Sequence, residues 1–451
     1  MDEMAFTELR SFLSQYKDIV LIEPEESYKL VTISNKGIIH LRNIVQGVEI
    51  KGDTAYRIKA GSFIYSRLAA HTGSFGLVPS ELDGAIVTSE MPVFEINQNI
   101  ILPDYLLYLL RQKKFLNSLF QLTKGMGRVR IKEKLLLSIK LPIHKDITDQ
   151  KRVIESLDSK FENIEALDNT YSEQIGILSQ IRKSLLQEAI EGKLTAKWRH
   201  EHPDLISGDN HASKLLENIL KKKEQLNKTS KIKKNQQLYH IAEDDKLFDI
   251  PEGWIWCRFG EIAKQVIDCP HATPTYLDEG KICLRASNIT PNGLLFNEQR
   301  FVSSEEFTSR INRLRPEKDD LVYIREGGRL GIAGLIDIDE DCCLGQRLML
   351  LRFFEKFTAI FSVYYINSPI VYNKTLKIAL GSASPHVNVR DVVSLAFPLP
   401  PIAEQIAIVE EVEKTLRIVN ELEKEVSERK EQSEKLMQLV LREAFATKYE
   451  I

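Results

Sequence analysis

Between Thr148 and Leu194, apolar side chains recur at Ile154, Leu157, Phe161, Ile164, Leu167, Tyr171, Ile175, Leu178, Ile181 and Leu185, and polar residues fill the intervals. Steps of three or four residues, averaging about 3.5, predict one helix with a single apolar seam of the coiled-coil kind. No proline interrupts the stretch, and its one glycine before the end is Gly176. At about 1.5 Å per residue this helix runs to roughly 65 Å, too long a stripe to stand alone in water. The pattern returns at the end of the chain. Gln150 matches Gln405 at an offset of 255, and at that offset Ile154 meets Val409, Leu157 meets Val412, Phe161 meets Leu416, Ile164 meets Val419 and Leu167 meets Leu422. The match continues through Tyr171/Val426, Ile181/Leu436 and Leu185/Val440, and the second stripe turns polar at Lys430 and Ser433. Two matched rods predict that each packs on the other and that the chain is a tandem repeat.

The regions between the rods repeat more faintly. Phe63-Ile64-Tyr65-Ser66-Arg67 lies opposite Leu321-Val322-Tyr323-Ile324-Arg325 at an offset of 258, where Gly73, Gly76, Leu77 and Met91 also meet Gly331, Gly334, Leu335 and Met349. YKLVTIS, TAYRIKAGSFIYSR and GAIVTSEMPVFEI are β-branched or alternating runs bounded by turn residues, which predicts strands. Pro103 to Leu122 has a helical period and a proline at its start. The boundaries are then a globular region over 1–147, a long helix over 148–194, a connector over 195–250, a second globular region over 251–400 and a second long helix over 401–451. The fold class is α+β, with two mixed domains in tandem joined by two antiparallel coiled-coil helices under a pseudo-two-fold axis. Eight lysines between Lys214 and Lys234 outweigh Glu217 and Glu224. That excess predicts a solvated, mobile linker holding a short helix.

Composition narrows the class. No run of 18 apolar residues is present, so no transmembrane helix is predicted. The opening MDEMAFTELRSF is acidic and unlike a signal peptide. Five cysteines without a CxxC pair predict reduced thiols and a cytoplasmic location. A net charge of −3 speaks only weakly against nucleic acid, because the rods hold many of the acids. There is no GxGxxG, no GxxxxGK[ST] and no NPPY-type tetrapeptide. His200-Glu201-His202 lacks HExxH spacing and a third ligand, and Cys342-Cys343 reads as core. No nucleophile, base and oxyanion set stands out, which predicts a chain without catalysis of its own.

Basic, glycine-rich loops are better candidates. YIREGGRLGIAG carries Arg325 and Arg329, and GSASPHVNVRD carries Ser384, His386, Asn388 and Arg390. In the first region SRLAAHTGSFG holds Arg67 and His71, and TKGMGRVR holds Lys124, Arg128 and Arg130. Glycines let the backbone approach a duplex while arginines reach base edges. Each loop alone reads more readily as a turn than as a reader; recurrence at the same place in both copies brings the two readings level and makes these residues candidates for DNA binding. DCPHATPTY, from Asp268 to Tyr276, reads either as a rigid turn around a core histidine or as a further reading loop.

At LAFPLPPIAEQIAIVEEVE, and in degraded form at LPIHKDITDQKRVIESLDSKFENIEALD, the chain resembles the specificity subunit of type I restriction–modification enzymes. LLQEAIEGKLTAKWRHEHPDL and IPEGWIWCRFGEIA are similar to that family's central helix exit and second-domain opening. The resemblance implies two target-recognition domains, each reading one half of a split, asymmetric site in double-stranded DNA, with the helices setting the gap. It implies docking of two methylation subunits and of restriction subunits. S-adenosylmethionine, ATP and Mg would then sit on those partners, with no cofactor on this chain. The assembled complex would methylate adenine N6 and cut DNA with ATP. The first region departs from the pattern in lacking a PEGW-type opening. A non-DNA scaffold tethering two partner-binding modules, or the recognition subunit of a related restriction system, are the alternative readings.

Overall fold

The computed structural model describes residues 4–122, 130–229, 241–380 and 385–445. The chain packs as two units, residues 1–173 with 426–451 and residues 174–425. Each unit takes one globular region and part of both long helices, Ile147–Ile190 and Ile402–Ala444.

In the first unit, Leu157, Phe161 and Ile164 are buried with Leu441 and Phe445. Lys430 Nζ donates to Ser172 Oγ at 3.0 Å there. In the second unit, Leu186, Ala189 and Ile190 are buried with Ile408, Val409 and Val412. Arg182 donates to Asn420 and Glu423 at 2.7 and 2.8 Å. Early residues of one helix meet late residues of the other in both units, so the segments run antiparallel. The stripe is not closed along its whole length. Leu167 and Leu422 are 45% and 43% exposed, and Ile181 and Leu436 are 42% and 46% exposed. Much of each helix's apolar face is therefore covered by its globular region rather than by the other helix.

Each globular region is built on one four-stranded antiparallel sheet with the same order. In the first it runs Leu13–Tyr16, Val93–Ile96, Phe63–Tyr65, Phe75–Leu77; in the second, Ala263–Asp268, Leu348–Phe353, Leu321–Ile324, Ala333–Leu335. The central strands are apolar on both faces because each faces two cores. Phe63 and Tyr65 enter the core shared with the long helix while Ile64 enters a separate one. Leu321 and Tyr323 against Val322 and Ile324 repeat that division. The copies differ in what is added. The first carries a five-stranded sheet ending in the hairpin Ser27–Ile33 and Ile39–Gln46; the second carries a three-stranded sheet and a small two-stranded one.

The opening that sequence leaves obscure in the first region is set by register. Met4–Glu8 pairs antiparallel with Lys140–His144, placing Phe6 opposite Pro142. Ile255–Arg258 pairs with Ala396–Leu399, placing Trp256 opposite Pro398.

A buried glutamine pins each long helix at its first turn. Gln150 Oε1 accepts from Leu102 N at 2.8 Å, and its Nε2 donates to Ile100 O and His144 O. Gln405 Oε1 accepts from Thr358 Oγ1 at 2.8 Å, and its Nε2 donates to Pro400 O. In the second unit a carboxylate joins the clamp. Glu404 is fully buried and accepts from Trp254 Nε1 and Thr195 Oγ1, each at 2.7 Å, and from the Arg199 guanidinium. Burial raises its pKa above the usual range, and the three donors work against that rise.

The short helix expected in the connector is present, and its described part packs onto the second unit. Ala212–Thr229 is helical, and Ala212 and Ile219 are buried in the second unit's core. The lysine excess lies on the outer face of that helix, apart from Lys223. Its Nζ donates to Gly260 O at 2.7 Å and Glu261 O at 3.0 Å. Residues 230–240 of the connector lie outside the described residues.

Gln405→Ala strands a hydroxyl and a carbonyl and is expected to cost about 1–3 kcal/mol. Glu404→Ala leaves a buried guanidinium uncompensated and is expected to cost about 3–5 kcal/mol. Chemical denaturation of the two variants would contradict this account if Glu404→Ala were the milder. Burial lowers the Lys223 ammonium to about 8, against the pull of Glu261. The unfolded chain binds more protons there above that pH, so stability is expected to rise from about pH 8 towards the ordinary lysine value. Lys223→Met should flatten the rise in melting temperature over that window.

Candidate nucleic-acid interface

In the first unit the structure brings Arg67 and Arg130 together and pairs both internally. Arg67 is ion-paired with Glu133, and its carbonyl accepts from Ile131 N at 2.8 Å. Arg130 makes a two-pronged pair with Glu90, 3.0 Å from Nε and 2.5 Å from Nη2. Glu90 O in turn accepts from Arg67 N at 2.9 Å. These arginines present a charge-balanced cluster rather than a bare cationic patch. His71 is half-buried with its ring 6.1 Å from Phe120. Lys124 and Arg128 lie outside the described residues.

In the second unit the loops around Asp268–Tyr276, Tyr323–Gly334 and Pro385–Asp391 converge, and Arg325 is buried where they meet. Its side chain is 6% exposed, ion-paired with Asp268, and its Nε donates to Val387 O at 2.9 Å. The expectation that Arg325 meets a base runs against this burial: its Nε and one Nη are already committed to Val387 and Asp268. Arg329 is also occupied, donating to Ser287 O at 3.0 Å and Ile289 O at 2.8 Å. Asn388 caps the short helix Val389–Val393, with its N and Nδ2 both donating to Asp391. His386 forms a backbone bridge with Glu326. Arg390 stands exposed on that short helix. Ser384 lies outside the described residues.

The recurrent glycines serve the scaffold. Gly73 and Gly331 adopt φ of +97° and +90°, which other residues rarely take. A Cβ on Gly76 would fall 2.3 Å from Gly37 O, and one on Gly334 would fall 2.3 Å from Thr290 O. Their recurrence in both copies follows from close backbone packing, so it does not mark a reading loop.

Better-placed side chains were missed. Arg347 is exposed and holds φ at +77°, a strained conformation for a non-glycine residue, in the turn between Cys342–Leu344 and Leu348–Phe353. Neighbouring Gln346 accepts from Thr273 Oγ1 at 2.6 Å. In strand register these two residues correspond to Ser89 and Glu90, since Arg325 N donates to Arg347 O where Arg67 N donates to Glu90 O, so the copies present different groups at one place. His271, 64% exposed at its side chain, lies 3.2 Å from Asp268. In the first unit, His40, Arg42 and Asn43 are exposed on the edge strand Ile39–Gln46, where a register shift makes Arg42 the extra residue. Bulges re-aim side chains, and a two-stranded ribbon fits a major groove. The run Gly-Gln-Arg between two apolar strands was the available signal for the first of these; Arg42 had none.

A family model described as "Type I restriction modification DNA specificity domain" matches residues 251–431. The EcoAI specificity subunit of Escherichia coli is 25% identical over 288 residues, covering 61% of this chain and 46% of that protein. The MjaVIII specificity subunit of Methanocaldococcus jannaschii is 25% identical over 362 residues, covering 79% and 73%. A solved chain described under "complex assembly" and "conformational transition of the type I R-M system" aligns over 98% of this chain and 97% of its own, with a TM-score of 0.55 and 16% identity. Over residues 251–431 this chain is similar to the DNA specificity domain of type I restriction–modification systems.

The family match runs from Pro251 past Gln405 and so spans both halves of the Trp254–Glu404 contact. The signature residues of the second-domain opening and of the second helix's first turn therefore touch one another. The match spans less than half the length of the EcoAI relative. No helix among the described residues is long and apolar enough to cross a membrane, and none of them group as three or more metal-ligand side chains.

Arg325→Ala is expected to destabilise the fold, by about 3 kcal/mol for a broken buried pair. Arg390→Ala should leave the melting temperature unchanged and reduce the salt dependence of DNA binding by about one counterion, if Arg390 meets a phosphate. Melting curves and binding isotherms over a salt series separate the two roles.

Proposed function

We propose that this chain is the sequence-specific DNA-recognition subunit of a type I restriction–modification complex. Each globular region reads one half of a bipartite, asymmetric site, and the two long helices set the gap. The observation that carries this reading is the pairing of one scaffold with two sets of loops. Both copies share sheet order, strand register and a buried glutamine clamp. They differ in their added sheets and in the polar residues of matched turns, such as Gln346-Arg347 against Ser89-Glu90. Two modules of one design with different surfaces are suited to two different half-sites on one duplex.

The chain itself acts without catalysis. Methylation subunits, one per repeat, would bring S-adenosylmethionine, and restriction subunits would bring ATP and Mg. Leu167, Ile181, Leu422 and Leu436 are exposed apolar positions on the rods, which supports docking of those partners there.

Exchange of residues 251–397 for the corresponding segment of another specificity subunit is expected to change one half of the methylated sequence and keep the gap. Insertion of seven residues after Leu167 and seven after Leu422 keeps the stripe in phase and lengthens each helix by about 10 Å. That corresponds to roughly three base pairs at about 3.4 Å each, so methylation of the original site should be lost. Genome-wide mapping of methylated adenines reads both results. Unchanged methylation after the double insertion would refute the spacer role of the helices.

A further inference from the structure

The two units differ in what covers one face of the opening strand. In the second unit, Trp256 on that strand is capped by the chain's own Glu243–Ile250 segment. Phe248 packs on the Trp256 ring at 5.2 Å, and Leu247 and Ile250 lie against the same core. Asp245 Oδ2 accepts from Arg258 Nη2 at 2.6 Å, and Asp245 O accepts from Lys374 Nζ at 3.4 Å. The capping sequence, EDDKLFDI, carries four acids to one lysine.

The matching face of the first unit carries no such cap among the described residues. Phe6 holds the register position of Trp256, opposite Pro142 as Trp256 is opposite Pro398. Its side chain is not covered by any described residue as Trp256 is by Phe248, and Phe6 remains 70% exposed. Beside it lies a groove of about 670 Å³ whose apolar floor includes Phe115, Leu439 and Phe445. Lys113, Lys140 and Arg442 stand on its rim, and no carboxylate among the described residues lines it. An exposed phenylalanine over an apolar cleft with a cationic rim is the complement of the acidic Leu-Phe segment that fills the equivalent place in the other unit.

We propose that this groove is a docking site for an acidic, Leu-Phe-bearing segment of a partner polypeptide, seated on Phe6 as Glu243–Ile250 is seated on Trp256. The site does not depend on DNA reading, and it lies apart from the arginine cluster of the same unit. The probe is a fluorescein-labelled peptide with the sequence of residues 241–250, titrated into the full chain and followed by anisotropy. Saturable one-to-one binding that weakens with salt is expected. Phe6→Asp with Leu439→Asp should weaken it by about tenfold or more, as loss of an apolar anchor does. Lys140→Glu with Arg442→Glu should weaken it as well, and a peptide with serine in place of its Leu-Phe pair should not bind. Phe6 and Leu439 are exposed, so these variants should keep the wild-type circular dichroism spectrum and DNA affinity. The proposal is overturned if the peptide shows no saturable binding, or binds the Phe6 and Leu439 variant as tightly as wild type. It is equally overturned if sedimentation shows that the chain self-associates through Phe6, which would assign the groove to a second copy.

Discussion

A buried glutamine at the first turn of each long helix is the constraint on which the rest of each unit depends. A helix start leaves N–H groups without partners, and the strand that feeds it ends in carbonyls with the same need. Gln150 and Gln405 meet that need with one side chain each, donating to the incoming strand end and accepting from the start of the domain's own helix. A side chain with both a donor and an acceptor in fixed geometry is required; a carboxylate offers only acceptors. The rod is thereby locked to the sheet at one angle, and the loops at the far edge of the sheet inherit that orientation. In the second unit, Glu404 extends the lock to Trp254, Thr195 and Arg199, tying the domain's opening and the first rod's exit to the second rod's start.

Scaffold and reading surface are built from the same residue types, and burial separates them. Arg325 and Arg390 lie in converging loops of one unit, yet one is a buried strut and the other an exposed cation. The buried arginine holds two loops in register through Asp268 and Val387. Arg67 and Arg130 occupy an intermediate state, each held by a carboxylate at a partly open position. Such pre-pairing fixes the direction of a guanidinium and also lowers its attraction for phosphate, trading affinity for orientation.

What could be read without coordinates follows from periodicity and repetition. A seam of apolar residues at helical spacing admits one local structure, and two such seams at one offset admit one organisation. Hence the rods, the duplication and the strand pairs around Phe63–Arg67 and Leu321–Arg325 were legible from residue order alone. The family resemblance rested on residues around Glu404 and Trp254, which the fold brings into contact.

What residue order could not reveal depends on partners distant in the chain. Arg325 reads as a projecting cation until Asp268, 57 residues earlier, is placed beside it. The lysine-rich connector reads as solvated until Ala212 and Ile219 find a core to enter. Phe6 and Trp256 share no sequence context that aligns them; only the pairing of their strands with Pro142 and Pro398 makes them equivalent. Helical period is a property of neighbours in sequence, so the chain carries it openly. Burial, charge pairing and the coverage of a groove are properties of neighbours in space, and the tertiary structure alone assigns them.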